Sequence, residues 1–435
     1  MLNPQCRRTL LCAAAIVMCA VPAWPQDPSA QDPPPEHVHD MSQMDMQMDM
    51  SGSGWHFMQD GSLYLLVNSQ GGPRGGDEFK APNWWMGTAT RRAGRGDLTL
   101  TSMFSADPAT VGTGGYREIF QVGEALDGKP IIDHQHPHDL WMQLSAAWRT
   151  TVSGGTGLTL AGAVAGEPAL GPVAFMHRAS AAAIPLAPLG HHTFDSTHIA
   201  FGVATVGIDR GKVAVEGSVF NGREPDEHRW NFDFGPMDSV AGRLWFRPAS
   251  SWELQVSSAR LVEPEQLHPG NMIRTTASAS YTSGSQADLL AGTVAFGMNA
   301  TDDVTRHAGF AELSKAWGRT IASARAELVQ VESELLRTGE IPETPEGEAR
   351  RDTVGAFTFG ALREMASWRG ITAALGANLT VYSVPAALEG EYGNHPASFQ
   401  IFVQLRPPLG AMGRMWNMRM AGMAPMGDAH AAHQH

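Results

Sequence analysis

Apolar and polar side chains alternate along many short segments of this 435-residue chain. Between Ser398 and Pro407 every second side chain is apolar, and Phe402 is the one departure from the alternation. A period of two places one set of side chains on one face of a β-strand and the other set on the opposite face. The pattern therefore predicts strands of roughly ten residues, each with one apolar face.

Sixteen segments carry this pattern, which is typical of a membrane β-barrel. They lie near 62–70, 83–92, 97–106, 139–152, 156–166, 197–209, 212–221, 239–248, 252–262, 271–282, 286–299, 306–317, 319–332, 355–365, 367–381 and 398–407. The sequence therefore predicts an all-β fold, a transmembrane antiparallel up-and-down β-barrel of about 16 strands, within a range of roughly 12 to 18 because strand boundaries are difficult to predict.

Tight turns that contain glycine alternate with longer connections. The turns lie at 93–96, 153–155, 209–211 and 283–285, and the longer loops lie near 71–82, 107–138, 167–196, 222–238, 263–270, 300–305, 333–354 and 382–397. Outer-membrane barrels have short periplasmic turns and longer extracellular loops. If the first strand rises from the periplasm, the longer loops lie outside and an even strand count leaves both chain ends in the periplasm.

Aromatic and charged residues fit the same topology. Tryptophans near the tight turns predict an aromatic girdle at the periplasmic interface, formed by Trp148, Trp245, Trp252, Trp317 and Trp368. The polar faces predict a lumen in which arginines oppose carboxylates: Arg223, Arg243, Arg247, Arg260, Arg274, Arg325 and Arg363 opposite Glu216, Glu253, Glu312 and Glu327.

The first residues have the features of a secretory signal. Arg7 and Arg8 give a positive start, an apolar run follows, and Val21-Pro22-Ala23 offers a small-residue cleavage site. All three cysteines lie inside this segment, so the exported chain would contain no disulfide and no thiolate ligand. The sequence thus divides into a signal peptide (1–23), a disordered Met/His-rich periplasmic leader (24–54), the barrel (55–407) and a disordered Met/His-rich tail (408–435).

Charge and motifs exclude several classes of function. A formal net charge of −13 leaves no basic stripe to neutralise phosphates, which argues against a nucleic-acid partner. The sequence contains no Gly-x-Ser-x-Gly elbow, no His-Glu-x-x-His motif and no phosphate-binding Gly-Lys-Ser/Thr loop, so we expect no enzymatic activity. Export and the barrel pattern together predict the bacterial outer membrane as the location and its lipid as a partner.

The densest candidate site is segment 134–139, with the sequence His-Gln-His-Pro-His-Asp. In an extended segment His134, His136 and His138 point to one side, and the proline favours an extended backbone before it. Three imidazoles followed by the Asp139 carboxylate suit copper, zinc, nickel or iron. Exposed histidines that only decorate a loop are the alternative interpretation.

The next two long loops add histidines and carboxylates at the same barrel mouth. They carry His177, His191 and His192, and then Glu224, Asp226, Glu227 and His228. Loops of this length often fold into the lumen and narrow it. Neutral imidazoles and carboxylates there could ligate a metal ion weakly enough for it to enter and leave. Asp195 and His198, in the same region, are interpreted as structural.

Methionine and histidine recur in both chain ends. The leader contains His37, His39, Met41, Met44, Met46, Met48 and Met50, and the tail contains Met412, Met415, Met418, Met420, Met423, Met426, His430, His433 and His435. Thioethers are soft ligands suited to Cu(I), and imidazoles suit Cu(II), zinc or nickel. Without a sustained helical period, these residues favour metal capture, and flexible low-complexity tails without a ligand are the alternative.

The Met-Asp-Met leader before a barrel resembles the copper-resistance protein B family of outer-membrane proteins. The resemblance rests on His39-Asp40-Met41 and Met44-Asp45-Met46-Gln47-Met48-Asp49-Met50 and on the overall architecture. It implies periplasmic copper sequestration or passage of copper across the outer membrane. Segments 54–61 (Gly-Trp-His-Phe-Met-Gln-Asp-Gly) and 135–140 (Gln-His-Pro-His-Asp-Leu) are similar to a group of bacterial envelope proteins and imply no particular activity.

The resulting hypothesis is an outer-membrane barrel that handles transition-metal ions in resistance, sequestration or passage. Copper is the expected ion, zinc and nickel are alternatives, and periplasmic metal-handling proteins are potential partners. A general or small-solute porin with incidental metal-binding tails is the first alternative function. A barrel enzyme or surface adhesin that uses the long loops is the second.

Overall fold

The computed structural model of the chain describes residues 54–266, 270–302, 304–340 and 351–407. The predicted signal peptide, the predicted tail and all but the last residue of the predicted leader lie outside the described residues. The same is true of the candidate metal ligands in the two chain ends, from His37 to Met50 and from Met412 to His435.

Strands make up most of the described residues. In chain order they are β1 His56–Gln70, β2 Gly76–Lys80, β3 Asn83–Ala93, β4 Gly96–Phe104, β5 Tyr116–Leu126, β6 Lys129–Gln135, β7 Trp141–Ser153, β8 Thr156–Gly166, β9 Ala200–Arg210, β10 Val213–Phe220, β11 Ser239–Phe246, β12 Trp252–Leu261, β13 Met272–Ser283, β14 Leu290–Ala300, β15 Thr305–Trp317, β16 Thr320–Glu332, β17 Arg351–Trp368, β18 Ile371–Ser383 and β19 Ala397–Arg406. All except β5 and β6, which form a separate hairpin, belong to one antiparallel sheet.

The sheet closes on itself because β1 pairs with β3 on one side and with β19 on the other. β2 and β3 are two parts of one barrel strand, since both pair with β1. Pro82, which has no N–H to donate, lies at the break between them. Counted this way, the barrel has sixteen antiparallel strands, which confirms the predicted fold class and strand count.

Alternation along each strand separates a lipid face from a lumen face. In β10 the outward-facing Val213, Val215 and Val219 are between 41% and 53% exposed. Glu216, on the opposite face of the same strand, is buried in the lumen. An outer band of such apolar side chains contacts lipid in outer-membrane barrels. Phe402, the departure from the pattern in β19, points into the lumen and is buried.

The two rims of the barrel carry different connections. The tight-turn rim joins strands through short turns, for example between β9 and β10, where Gly211 has a φ of +55° that glycine adopts without steric cost. The long-loop rim carries segments 105–140, 167–199, 221–238 and 384–396. This sidedness agrees with the predicted asymmetry, in which the long loops of outer-membrane barrels face outward.

Two predicted connections were placed incorrectly, and a third, loop 107–138, lies where it was predicted but contains two strands of its own. The predicted loop 71–82 contains β2, so the connection shrinks to residues 71–75. The predicted loop 107–138 contains the β5–β6 hairpin. The predicted break at residue 366 falls inside β17, because the turn uses Arg369 and Gly370, both with positive φ. Two such residues form a tight hairpin turn, and arginine is an unusual residue at the first of these positions.

The predicted tryptophan girdle is only partly correct. Trp252, Trp317 and Trp368 are exposed near the tight-turn rim. Trp245 is 2% exposed and points into the lumen, where its Nε1 donates a hydrogen bond to Glu216. The predicted lumen ion pairs are present at three places: Arg243 with Glu216, Arg247 with Glu253 and Arg325 with Glu312.

Two segments of the long-loop rim fold back into the lumen, and together they are called the plug. The first, residues 105–140, contains helix α1 (Asp107–Thr110) and the β5–β6 hairpin. The second, residues 167–199, contains helix α2 (His191–Phe194) and three 3-10 turns, Phe175–His177, Ala179–Ala181 and Ser196–His198. The remaining helices are α3 Ser333–Thr338, α4 Glu389–Tyr392 and a 3-10 turn at Gln286–Asp288. Among the described residues, no helix has the length and apolar composition needed to cross a membrane.

Hydrogen bonds fix the second plug segment to three strands of the wall. Backbone N–H groups of Ala169, Gly171 and Ala183 donate to serine hydroxyls of β10, β12 and β16 at 2.8, 2.9 and 3.1 Å. Inward-facing charges such as Glu312 and Arg325 are consequently buried, although an open aqueous lumen would leave them solvated. Two cavities inside the lumen measure about 40 and 20 Å³ and have room for only a few waters.

Candidate functional site

Five histidines from the two plug segments meet inside the lumen. His136 and His138 lie just before β7, and His191, His192 and His198 lie just before β9. Because β7 and β9 both begin at the long-loop rim, these segments enter the barrel from the same side. The five residues are called the histidine cluster, and all are buried or half-buried.

The imidazole rings form a continuous set of neighbours around His191. Its ring centroid lies 5.4 Å from those of His192 and His198 and 5.7 Å from that of His136. The rings of His136 and His192 are 5.2 Å apart, and those of His138 and His198 are 5.7 Å apart. Imidazoles that share one ion place a nitrogen about 2.0–2.1 Å from it, so these rings are near enough for side-chain movements to bring several nitrogens to one ion.

Two glycines let the second plug segment approach the cluster. A Cβ at Gly171 would lie 2.5 Å from the Phe194 carbonyl oxygen, and a Cβ at Gly190 would lie 2.5 Å from the Phe194 ring. Both positions therefore require glycine for a close backbone approach. The two ends of segment 172–189 are consequently held against the same residue, directly beside α2.

An acceptor faces the Nδ1 atom of each histidine in the cluster. The pairs are His136 with Pro137 O (3.2 Å), His138 with Asp107 Oδ2 (2.9 Å), His191 with Asp195 Oδ1 (2.6 Å), His192 with Glu224 Oε1 (3.4 Å) and His198 with Asp195 O (2.5 Å). The His191 approach is an ion-pair distance without the angle of a hydrogen bond. Acceptors at Nδ1 place the proton there and leave the lone pair on Nε2.

The Nε2 atoms of His136, His191, His192 and His198 are buried and lack a hydrogen-bond partner among the described residues. The nearest charged group to one of them is Glu124, whose Oε1 lies 3.5 Å from His136 Nε2. A buried polar atom without a partner costs about 1–3 kcal/mol. Histidines that ligate metals pair one ring nitrogen with a protein acceptor and offer the other nitrogen to the ion. The cluster has this arrangement at four rings.

Burial keeps most of these imidazoles neutral. It lowers the pKa of His136 well below the usual value for histidine and lowers the pKa of His198 to about 3. Burial also lowers the pKa of His191, although Asp195 opposes the shift. For His192 the burial effect is outweighed by the hydrogen bond and charge of Glu224, which raise its pKa. Neutral imidazole is the form that binds metal ions.

An ion shared by several of these nitrogens would need to draw the rings together. Within the described ranges, the one group of three His, Asp or Glu residues whose donor atoms all lie within 4.8 Å of one another is Asp226, Glu227 and His228. That group is largely exposed on the 221–238 loop, where acidic side chains need no ion. In every set of three donor atoms from different residues of the histidine cluster, at least two atoms are more than 4.8 Å apart.

The other sequence-predicted ligands in the first plug segment lie apart from the cluster. His134 is in β6, opposite Arg117, and its Nδ1 lies 2.9 Å from the carbonyl oxygen of Ile132. Asp139 is buried and forms an ion pair with Arg229 at 3.2 Å. Of the histidine triplet, the structure therefore brings only His136 and His138 to the cluster.

In the second plug segment the structure brings His191 and His192 to the cluster but places His177 elsewhere. His177 packs against Trp84, with ring centroids 4.8 Å apart. His198, interpreted from the sequence as structural, joins the cluster, and Asp195 contacts both His191 and His198. The available sequence signal was the i, i+4, i+7 spacing of residues 191, 195 and 198, which places side chains on one face of a helical turn. Nothing in the sequence pointed to Asp107 or Glu124.

No protein-family model and no curated protein sequence matches the chain. Solved structures match its fold, among them the high-pH structure of Pseudomonas putida OprB, with a TM-score of 0.52 and 10% identity over 82% of this chain and 95% of OprB. The chain is an outer-membrane β-barrel with a porin-like fold. A loop-deleted OmpT, an outer membrane protein of Vibrio cholerae, aligns over 81% of this chain and 99% of its own length with a TM-score of 0.49 and 8% identity.

These likenesses concern the barrel alone. The likeness to OprB agrees with the predicted location and with a porin-like architecture. The likenesses give no support to the copper-resistance protein B family in particular. The residues that carry that resemblance lie in the leader, outside the described residues.

Proposed function

We propose that this outer-membrane barrel binds a transition-metal ion, with copper as the expected ion, at the histidine cluster inside its plugged lumen. One observation carries the proposal: four buried Nε2 atoms without a partner among the described residues belong to rings whose Nδ1 atoms face acceptors. An ion would supply the missing partner to several rings at once. Zinc and nickel prefer similar donors, so the donor set favours a borderline metal without selecting one.

Charge balance around the cluster supports a divalent ion. Asp107 contacts His138 and Glu224 contacts His192, whereas Asp195 and Glu124, beside His191 and His136, are also paired with the buried Arg178 and Arg229. Neutral rings alone would leave a divalent charge uncompensated in a buried site, which is energetically costly. Carboxylates behind the imidazoles reduce that cost and raise the basicity of the ligating nitrogens.

The Met/His-rich chain ends extend the proposal to the periplasm. Their thioethers suit Cu(I) and their imidazoles suit Cu(II), so they would capture ions near the tight-turn rim. The cluster would hold an ion within the barrel, and periplasmic metal-handling proteins would receive or deliver it. The overall process is capture and relay without chemical turnover.

Removing two ligands tests the cluster. The full chain in detergent is loaded with Cu(II), washed with a competing chelator and analysed for copper per chain. We expect a variant with His136→Gln and His191→Gln to retain one ion fewer than the unmodified chain, because both substitutions remove an imidazole while keeping a polar side chain. His134→Gln is the matched control, since His134 lies outside the cluster, and it is expected to retain the unmodified amount. Equal copper in all three proteins would refute the cluster as a binding site.

The tails are tested by a separate arm of the same experiment. With every Met and His of residues 37–50 and 412–435 replaced by Ser, the weakly held copper decreases while the ion at the cluster remains. Cells that produce this variant are expected to tolerate less copper. Unchanged copper loading and tolerance would remove the tails from the proposal without affecting the cluster.

A further inference from the structure

Three methionines on neighbouring strands meet on the lumen side of the wall. Met86 of β3 and Met103 of β4 are direct cross-strand partners, and both are fully buried. Met142 of β7 is the extra residue of a β-bulge, between the partners of Met103 and Phe104, and is also fully buried. Because a bulge redirects a side chain, Met142 joins the other two in one packed cluster.

A histidine of the plug contacts the same cluster through Trp84. His177 is 1% exposed, and its ring packs edge-on against Trp84, which belongs to the same cluster as the three methionines. Neither ring nitrogen of His177 has a hydrogen-bond partner in the described part of the chain. Burial lowers the pKa of His177 to about 4, so the ring is neutral at physiological pH.

Core packing alone explains the methionines but not the histidine. Methionine fills irregular gaps in hydrophobic cores, and three buried methionines need no further purpose. A neutral imidazole with two buried nitrogens and no partner among the described residues destabilises the fold, a cost that leucine or phenylalanine would avoid at the same position. His177 therefore places ring nitrogens that could bind a metal ion at a position where an apolar side chain would be more stable.

We propose that Met86, Met103, Met142 and His177 bind a soft monovalent ion, Cu(I) or Ag(I), inside the barrel. Thioethers select soft ions over Zn²⁺ or Ni²⁺, and one imidazole completes a four-donor set. Trp84 contacts His177 and packs in the same cluster as the methionines, so its ring shields the ion from water. This site goes beyond the histidine cluster, because it uses different donors and a different oxidation state.

Charge and access agree with a monovalent ion. Asp60 lies opposite Met86 across the β1–β3 pair, which supplies one nearby carboxylate. Asp60, Trp84 and Met176 line the lumen cavity of about 40 Å³. His138 of the histidine cluster lines the same cavity. The single carboxylate balances one positive charge, whereas the histidine cluster has several carboxylates for a divalent ion.

Silver binding tests the proposal, because Ag(I) is soft and does not change oxidation state. The full chain in detergent is loaded with Ag(I), dialysed against thiosulfate and analysed for silver per chain. We expect Met103→Leu and His177→Leu each to retain one ion fewer than the unmodified chain. Met272→Leu is the matched control, since Met272 is buried in a different cluster of the wall. The Met/His tails contribute equally to all four proteins.

Thermal unfolding, followed by the mobility shift of barrels in gel electrophoresis, gives a second readout. Without metal, His177→Leu is expected to unfold at the same temperature as the unmodified chain or higher, because two buried nitrogens without partners are removed. Ag(I) then raises the midpoint of the unmodified chain and of Met272→Leu but not of His177→Leu. If silver content and midpoint respond alike in every variant, the methionines are packing residues only. That result would leave the histidine cluster unaffected, because its test uses Cu(II) and other variants.

Discussion

Excising residues 172–189 from the plug is expected to convert a barrel that conducts ions poorly into an open pore. The excised segment contains the backbone that is fixed to the wall at Ala183 and the side chain that reaches Glu312. Gly171 and Gly190 both contact Phe194, so a short Gly/Ser linker can join them and leave α2 in place. Without the segment, the lumen of a sixteen-stranded barrel is wide enough for water, and single-channel conductance in planar bilayers is expected to rise on the order of tenfold or more.

The same recordings decide between metal handling and the porin alternative. The unmodified chain is expected to show low conductance, because the plug is fixed to the wall inside the lumen and two cavities beside it have room for only a few waters. A mobility shift on heating confirms that both proteins are folded barrels before they are compared. Large, stable conductance in the unmodified chain would favour a small-solute porin, and a folded excision variant that stays closed would show that residues 172–189 are not what closes the lumen.

Replacing Arg178 by Met is expected to cost about 3–5 kcal/mol, because it leaves buried carboxylates without their cation. Arg178 is buried, with Asp195 at 3.2 Å and Glu312 at 3.0 Å. Asp195 also contacts His191 and His198, so the same substitution removes the partner that holds this carboxylate beside two rings of the histidine cluster. The measurement is the urea midpoint of unfolding in lipid or detergent, followed by tryptophan fluorescence.

Arg223→Met is the matched control for this substitution. Arg223 pairs with Asp238 at 3.0 Å in a partly exposed position on the long-loop rim. Exposed ion pairs contribute about 0–1 kcal/mol, so this variant is expected to unfold close to the unmodified midpoint. If Arg178→Met has an equally small effect, the plug is not held by its buried ion pairs.

The barrel was predictable because its signal is local. Each strand shows in its own residues which side chains face lipid, as the valines of β10 do. The same rule could have corrected the girdle prediction. Trp245 lies two residues after Arg243 in β11, so the two side chains are on the same face of the strand, and both point into the lumen. For the direction of a tryptophan side chain, its place in the alternation of the strand was a better guide than its distance from a turn.

The site was less predictable because it depends on distant parts of the chain. His136 and His191 are neighbours only because two plug segments, each fixed to the wall by non-local hydrogen bonds, enter the lumen together. The strand alternation expected for the histidine triplet does not reach its end, because β6 ends at Gln135. His134 therefore lies in a strand, whereas His136 and His138 lie in the irregular segment that follows it.

Anomalous diffraction at the copper absorption edge tests the central claim most directly. Crystals of the full chain, loaded with Cu(II) and washed with chelator, are expected to show a peak at about 2 Å from His191 Nε2 and from the Nε2 atoms of at least two of its neighbours in the cluster. The rings of these neighbours would be drawn inward relative to their separations without metal. Copper peaks elsewhere in the crystal, with none among these histidines, would contradict the claim that the plug contains a metal site.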